Sequence, residues 1–239
     1  MAEKVLITGG LGFIGLALAR TLVRRGMTVR LLDNLSPQIH GLAPPELGTL
    51  LEEGRVEIML GDVCQRSDWV SALRDVTSVV HLAAETGTGQ SMYRIGDYTS
   101  TNVLGTALLL DVLANDSHAV KKLLLASSRS VYGEGAYQCA ACGLVYPPMR
   151  SSGSLSARQW EPPCPGCGGP IHAVATPETA RTSPASVYAA TKLAQEDLVR
   201  IVASALRIPF VIFRFQNVYG EGQSLNNPYT CLLYTSRCV

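Results

Sequence analysis

The stretch VLITGGLGFIG, from Val5 to Gly15, decides the fold. Val5 to Thr8 is a short apolar run and reads as a buried strand. From Gly12 to Arg25 the apolar residues Phe13, Leu16, Ala17, Ala19 and Leu22 recur at helical spacing, and Gly26 supplies a stop. Gly9, Gly12 and Gly15 sit between strand and helix. Glycine there permits a tight turn and lets the backbone approach a pyrophosphate, while the helix N-terminus offers its N–H groups to the anion. A plain structural turn would use the same glycines. The strand before them and the helix after them favour a bound dinucleotide.

Asp33 bears on which dinucleotide. It ends the next apolar run, TVRLLD, 18 residues after Gly15. A carboxylate at that point can accept hydrogen bonds from an adenosine ribose and repels a 2′-phosphate. No Arg follows it directly, so NAD is favoured over NADP.

Working outward, RVEIML, TSVVHLAA, KKLLLASS and PFVIFRF read as further strands. A helix is predicted from about Tyr98 to Ala114, and another within SVYAATKLAQEDLVRIVASALR. This alternation predicts an α/β chain of Rossmann type, a doubly wound parallel sheet covered on both faces. The pattern breaks between SVYGEGAY and TSPASVYAATK, an interval rich in Gly, Pro, Ser and Cys. The expected division is residues 1–135 for the first part of the nucleotide-binding domain, 136–180 for an insert, and 181–230 for the remainder with the catalytic helix. Residues 231–239 are expected to be a non-native tail.

The insert carries QCAACG and PCPGCG, hence Cys139, Cys142, Cys164 and Cys167. Two Cys-x-x-Cys pairs suit one tetrahedral Zn²⁺ held by four thiolates. Gly143 and Gly168 follow the second Cys of each pair, where the backbone can turn N–H groups toward sulfur. Four cysteines leave no position for water, so such a site is structural. Two local disulfides or four unrelated thiols are the alternatives. Cys64, Cys231 and Cys238 are expected to be uninvolved.

Composition narrows the function classes. The chain has 239 residues, 47% of them hydrophobic and 16% charged, with a net charge of +1. Disorder is disfavoured, and nothing marks a nucleic-acid partner or an anionic membrane surface. KVLIT begins almost at once, without the apolar run of a signal peptide, and no run is long enough to span a bilayer. A cytoplasmic location is expected, where thiols stay reduced and metal binding is the better use of the cysteines.

Tyr188 and Lys192 lie four apart on a predicted helix and share a face. A phenol is a poor base at its ordinary pKa of about 10, and a nearby ammonium favours the phenolate. In isolation Tyr-x-x-x-Lys is more often ordinary helix surface. Here a serine-bearing strand end precedes it and a nucleotide turn opens the chain.

The spacing Gly-x-x-Gly-x-x-Gly resembles the extended short-chain dehydrogenase/reductase family, the NAD-dependent sugar-nucleotide epimerases and dehydratases. GDV (Gly61 to Val63), HLAA (His81 to Ala84), TNVLGT, SSRSVYG, YAATK and RFQNVYG complete the pattern in order. The resemblance covers nearly the whole chain apart from the insert and the last few residues. It implies cofactor contacts from Gly9, Gly12, Phe13, Ile14, Gly15, Asp33 and Asn34. It adds Asp62, Val63, Leu82, Ala83, Ala84 and Asn102, with Tyr188 and Lys192 at the nicotinamide end. It implies substrate contacts from Thr86, Ser128 and Asn217. Counting back from VYG, the catalytic serine falls at Ser128, with Ser127 and Ser130 as support. His81 is expected to be packed at a strand end and not catalytic. His40, His118 and His172 lack ligand spacing.

The two residues after Ser128 separate reactions. Dehydratases of this family place an Asp-Glu pair there, whereas this chain has Arg129 and Ser130, so dehydration is disfavoured. The expected activity is a nucleotide-sugar 4-epimerisation by transient oxidation and hydride return. A 4-reductase or dehydrogenase, and a non-catalytic NAD-binding regulatory protein, remain as alternatives. Ser128 and Tyr188 are 60 residues apart, a longer interval than in most relatives. Its cysteine-rich sequence resembles a subgroup of bacterial epimerases, which points to a dTDP-6-deoxyhexose. The insert is expected to overhang the sugar pocket or to form a contact between subunits. The terminal CLLYTS is what a common sequencing-library adapter encodes in one frame. The expectation is a chain ending natively near Thr230, lacking most of a substrate domain and forming a homodimer when full length.

Overall fold

The glycine turn lies at the middle of a parallel sheet. The computed structural model describes residues 3–41, 54–220 and 223; the tail at 231–239, with Cys231 and Cys238, lies outside the described residues. The strands are β1 (Lys4–Thr8), β2 (Thr28–Asp33), β3 (Val56–Leu60), β4 (Ser78–His81), β5 (Lys122–Ser128), β6 (Tyr137–Cys139), β7 (Gly143–Val145), β8 (Ile171–Ala173) and β9 (Phe210–Phe215). The helices are α1 (Phe13–Arg24), α2 (Pro37–His40), α3 (Arg66–Ala72), α4 (Thr88–Ser91), α5 (Ile95–Tyr98), α6 (Gly105–Asn115), α7 (Ser152–Ser156) and α8 (Val187–Ala205).

Among the described residues the large sheet has the order β3-β2-β1-β4-β5-β9, with every neighbouring pair parallel. The chain runs outward from β1 to β3, then crosses back to β4 and continues the other way. That reversal leaves a crevice at the carboxyl ends of β1 and β4, where open parallel sheets bind ligands. Side chains alternate across the sheet. Val5 and Ile7 join Val29, Leu31, Ala19 and Val23 on one face, while Leu6 joins Leu32, Leu109, Leu123 and Val199 on the other. Both faces are thus packed over the central strands, while Leu60 on β3 and Val211 and Phe213 on β9 are exposed among the described residues.

Two elements depart from the expected pattern. β4 stops at His81, and Leu82 to Ala84 leave the sheet; Ala83 donates its N–H to the Thr8 hydroxyl at 3.1 Å. The helix expected from Tyr98 is not regular. Thr99–Leu104 is a π-helical stretch between α5 and α6, and it carries the fully buried Asn102. Such a stretch adds a residue to the turn and re-aims side chains, which apolar periodicity does not register.

The 136–180 interval holds a three-stranded antiparallel sheet, β7-β6-β8, with α7 beside it. Its small core is Tyr137, Cys139, Cys164 and Ile171, with Val145 packed against them. The root is clamped. Gly133 has φ +67 and no room for a Cβ, which would sit 2.4 Å from the Ser183 carbonyl oxygen. Ser183 donates its N–H to the Val131 carbonyl, and Ala136 donates its N–H to the Thr176 hydroxyl. Among the described residues no helix is long and apolar enough to cross a membrane.

Candidate functional site

The glycines make the crevice by close approach. Gly9 has φ +62, and a Cβ on it would lie 3.0 Å from the Ala83 backbone. A Cβ on Gly15 would lie 2.5 Å from the Gly9 carbonyl oxygen, so the helix start presses directly on the turn. Gly12 is the N-cap of α1 and no side chain caps the helix. The first turn, with Phe13 and Ile14, has no acidic residue of its own and presents its positive dipole end to the crevice. This arrangement fits a dinucleotide diphosphate.

Asp33 lines the crevice beside the glycine turn together with Gly9, Asn34, Val63, Ala83 and Ala84. Its Oδ2 accepts from the Leu11 N–H at 3.0 Å, and its Oδ1 accepts from the Leu35 N–H at 2.9 Å. The carboxylate is thereby aimed by the turn it serves. His40 Nε2 lies 3.1 Å from Asp33 Oδ1 and shares the crevice. Sequence reasoning missed His40, because it belongs to no ligand motif and meets Asp33 only through the turn into α2. Asp62 accepts from the Cys64 N–H at 2.8 Å and stands 3.4 Å from the Asn34 amide nitrogen.

The next wall is Leu82 to Ala84, and a chain of buried groups fixes it. Thr8 Oγ1 accepts from Ala83 and lies 2.7 Å from His81 Nδ1. His81 Nε2 lies 3.0 Å from Thr106 Oγ1, which itself donates to the Asn102 carbonyl at 2.7 Å. Thr106 must then accept from His81, which assigns the neutral Nε2–H tautomer and leaves Nδ1 to accept from Thr8. Burial pushes the His81 pKa down to about 3, aided by the Lys192 charge. His81 is a packed strand-end residue, as expected. Asn102 is behind this wall: its side-chain amide accepts from the Glu85 N–H at 2.8 Å and donates to the Glu85 carbonyl and the Thr191 hydroxyl. The structure therefore ties Asn102 to the loop and to α8, where the sequence pointed to a direct cofactor contact.

A larger cleft, 840 Å³, continues from Ile14, Leu82 and Ala84 to Thr86, Ser128, Tyr188, Lys192 and Asn217. Ala84 lines both cavities, so the two adjoin at that residue. Ser186 caps α8 by accepting from the Ala189 N–H, and the helix then delivers Tyr188 and Lys192 to the same side. Lys192 is 3% exposed and donates to the Ala126 carbonyl at 2.9 Å. Burial pushes its pKa down to about 7, with the Glu196 carboxylate pulling the other way. Its Nζ lies 6.0 Å from the centre of the Tyr188 ring. Tyr98 meets Tyr188 edge to face at 6.4 Å and donates its hydroxyl to the Thr86 carbonyl. Ser128 Oγ accepts from the Ser130 N–H at 3.1 Å and hydroxyl at 2.9 Å. The far side is lined by Glu134, Tyr137, Met149 and Arg150, in or beside the insert.

The four cysteines of the insert converge. Their sulfurs all lie within 4.8 Å of one another, and Cys139 Sγ is 3.6 Å from Cys167 Sγ. A tetrahedral site with Zn–S bonds of about 2.3 Å has edges of about 3.8 Å, so the donor set fits. Gly143 and Gly168 have φ +76 and +73, the left-handed turns that follow each pair. N–H groups of Cys167 and Gly166 draw the Cys164 thiol down to about 7, while Cys167 and Cys164 push Cys142 up to about 12. Cys64 stands apart, its thiol pushed up to about 11 by burial and by Asp62.

Known proteins share this fold. The chain matches the NAD dependent epimerase/dehydratase family over residues 5–151 and 165–234, and the interruption begins after the first cysteine pair and takes in Cys164. It is 43% identical over 230 residues to the dTDP-L-rhamnose 4-epimerase of Burkholderia thailandensis, covering 95% of this chain and 61% of that protein. The UDP-glucuronic acid 4-epimerase of Bacillus cereus, solved with UDP-glucuronic acid and NAD, superposes with a TM-score of 0.69 at 25% identity, covering 98% of this chain and 63% of that one. The UDP-glucose 4-epimerase of Thermus thermophilus in complex with NAD gives 0.66 at 26% identity, covering 93% and 58%.

Proposed function

The chain belongs to the NAD dependent epimerase/dehydratase family, and from that premise we propose that it is an NAD-dependent nucleotide-sugar 4-epimerase, acting on a dTDP-6-deoxyhexose. The observation that carries this is the placement of the glycine-turn crevice beside the cleft of Ser128, Tyr188 and Lys192, the two meeting at Ala84. The α1 N-terminus and Gly9 would hold the diphosphate of NAD, Asp33 the adenosine ribose, and Leu82 to Ala84 the wall beside it. Asn102 acts in this scheme by positioning the Glu85 loop. NAD supplies hydride acceptance and return. Tyr188 removes the proton from the sugar 4-hydroxyl, and Ser128 hydrogen-bonds the same oxygen. Lys192, one turn along α8 with its Nζ 6.0 Å from the centre of the Tyr188 ring, would in its charged form favour negative charge on the Tyr188 oxygen. Arg129 and Ser130 offer no carboxyl pair after Ser128, which supports epimerisation over dehydration.

The four-cysteine cluster is proposed to hold one structural Zn²⁺, supported by its convergent sulfurs. A homodimer is supported by the exposed Tyr93, Ile95 and Leu104 along one stretch of chain, and a cytoplasmic location by the free thiols. Because the chain spans 61% of its 43%-identical relative, the deciding assay uses the full reading frame of the gene. dTDP- and UDP-hexoses are supplied without added cofactor. Interconversion of 4-epimers with NAD retained supports the epimerase. Turnover that needs added NAD(P)H supports a reductase.

A further inference from the structure

The insert reaches into the chemistry. Met149 and Arg150 lie on the segment between β7 and α7, and both line the cleft that holds Ser128 and Tyr188. Arg150 is held from two sides. Its guanidinium bonds Glu134 through Nε at 3.2 Å and Nη2 at 3.2 Å, and donates to the Trp160 carbonyl from Nη1 at 3.0 Å. A guanidinium has five N–H donors, so some remain over after these bonds. Met149 is 62% exposed, an apolar side chain without a hydrophobic cover. Tyr137 lines the same cleft and belongs to the core that contains Cys139 and Cys164. The clamped root at Gly133 and Ser183 fixes this wall relative to Ser128.

We propose that the insert is the sugar-selecting wall of the cleft, with Arg150 donating to hydroxyls of the hexose and Met149 packing against an apolar substituent at C5. Glu134 neutralises Arg150 and orients it, which suits uncharged hydroxyls and opposes a carboxylate on the sugar. Met149 favours a methyl group over a hydroxymethyl group, because its side chain gives a methyl an apolar contact and gives a hydroxyl only a weakly accepting thioether. The wall therefore selects 6-deoxyhexoses. This rests on the nucleotide-sugar reading of the cleft.

The test compares kcat/KM for matched 6-deoxy and 6-hydroxy dTDP-hexoses, in the full-reading-frame enzyme with retained NAD and bound metal measured alongside. Met149→Gln, nearly isosteric and on an exposed side chain, should lower the preference for the 6-deoxy sugar by about tenfold. Arg150→Ala should raise KM for both sugars by about tenfold or more, with NAD and metal content unchanged. An unchanged sugar preference in Met149→Gln together with an unchanged KM in Arg150→Ala overturns the proposal. Wild-type enzyme that converts neither sugar overturns the epimerase reading beneath it instead.

Discussion

Ser127 donates its hydroxyl to the buried Glu196 carboxylate on α8, while the pleat of β5 sends the side chain of Ser128, which also lines the cleft, to the other face. Glu196 also takes two bonds from Arg214 on β9, Nη2 to Oε2 at 2.7 Å and Nε to Oε1 at 2.9 Å. One carboxylate thus joins β5, α8 and β9.

The two serines should separate on mutation. Ser128→Ala should lower kcat by about 100-fold with little change in thermal stability, as expected for a lost hydrogen bond at the reacting oxygen. Ser127→Ala should cost about 1–2 kcal/mol of stability, because it removes a buried donor from a carboxylate. Denaturant melts and steady-state kinetics of both variants check this, and equal kinetic losses would contradict the assignment.

Tyr188→Phe removes the proposed proton acceptor and keeps the ring against Tyr98. Turnover should fall by at least about 100-fold while NAD stays bound. Activity within a few-fold of wild type would remove Tyr188 from its role.

Asp33→Asn should weaken NAD binding and narrow its margin over NADP, since the charge that repels a 2′-phosphate is gone. The Leu11 and Leu35 N–H bonds retain an acceptor in Asn only in part. Titration with both cofactors decides it, and a wild-type protein that binds NADP as tightly as NAD would contradict the carboxylate's role.

The cysteine cluster should hold about one zinc per chain, the stoichiometry of a closed four-thiolate site. Cys164→Ser should lose that metal and loosen the insert, while the parallel sheet stays folded. The insert's own core is small, so the ion would supply much of its folding energy. Metal analysis and limited proteolysis report on the two parts separately. Metal-free protein of undiminished stability, with all four thiols open to alkylation, would rule the site out.

His81 sets an acid limit. It stays neutral in the folded chain down to about pH 3, against an ordinary value of 6.5. Between these values the unfolded chain binds more protons, so stability falls as pH drops through that window. His81→Gln should flatten the acid side of the stability profile. An unaltered slope would place the acid sensitivity elsewhere.

The parallel sheet, the nucleotide turn, the Tyr188–Lys192 face and the cysteine pairs were all legible in the sequence. Each is a local pattern: alternation along a strand, recurrence along a helix, or a two-residue gap between ligands. Residues such as Val5, Leu6 and Ile7 sort to opposite faces by periodicity alone. Only the tertiary structure decided that Asn102 braces the Glu85 loop, that His40 meets Asp33, and that Ser127 and Ser128 divide their tasks. It alone brought Met149 and Arg150 to the cleft that holds Tyr188. Those contacts join residues distant along the chain, and their energy depends on buried donors finding acceptors across packed elements. A sequence pattern records which side of its own helix or strand a residue occupies. The partner waiting on that side exists only once the elements have packed.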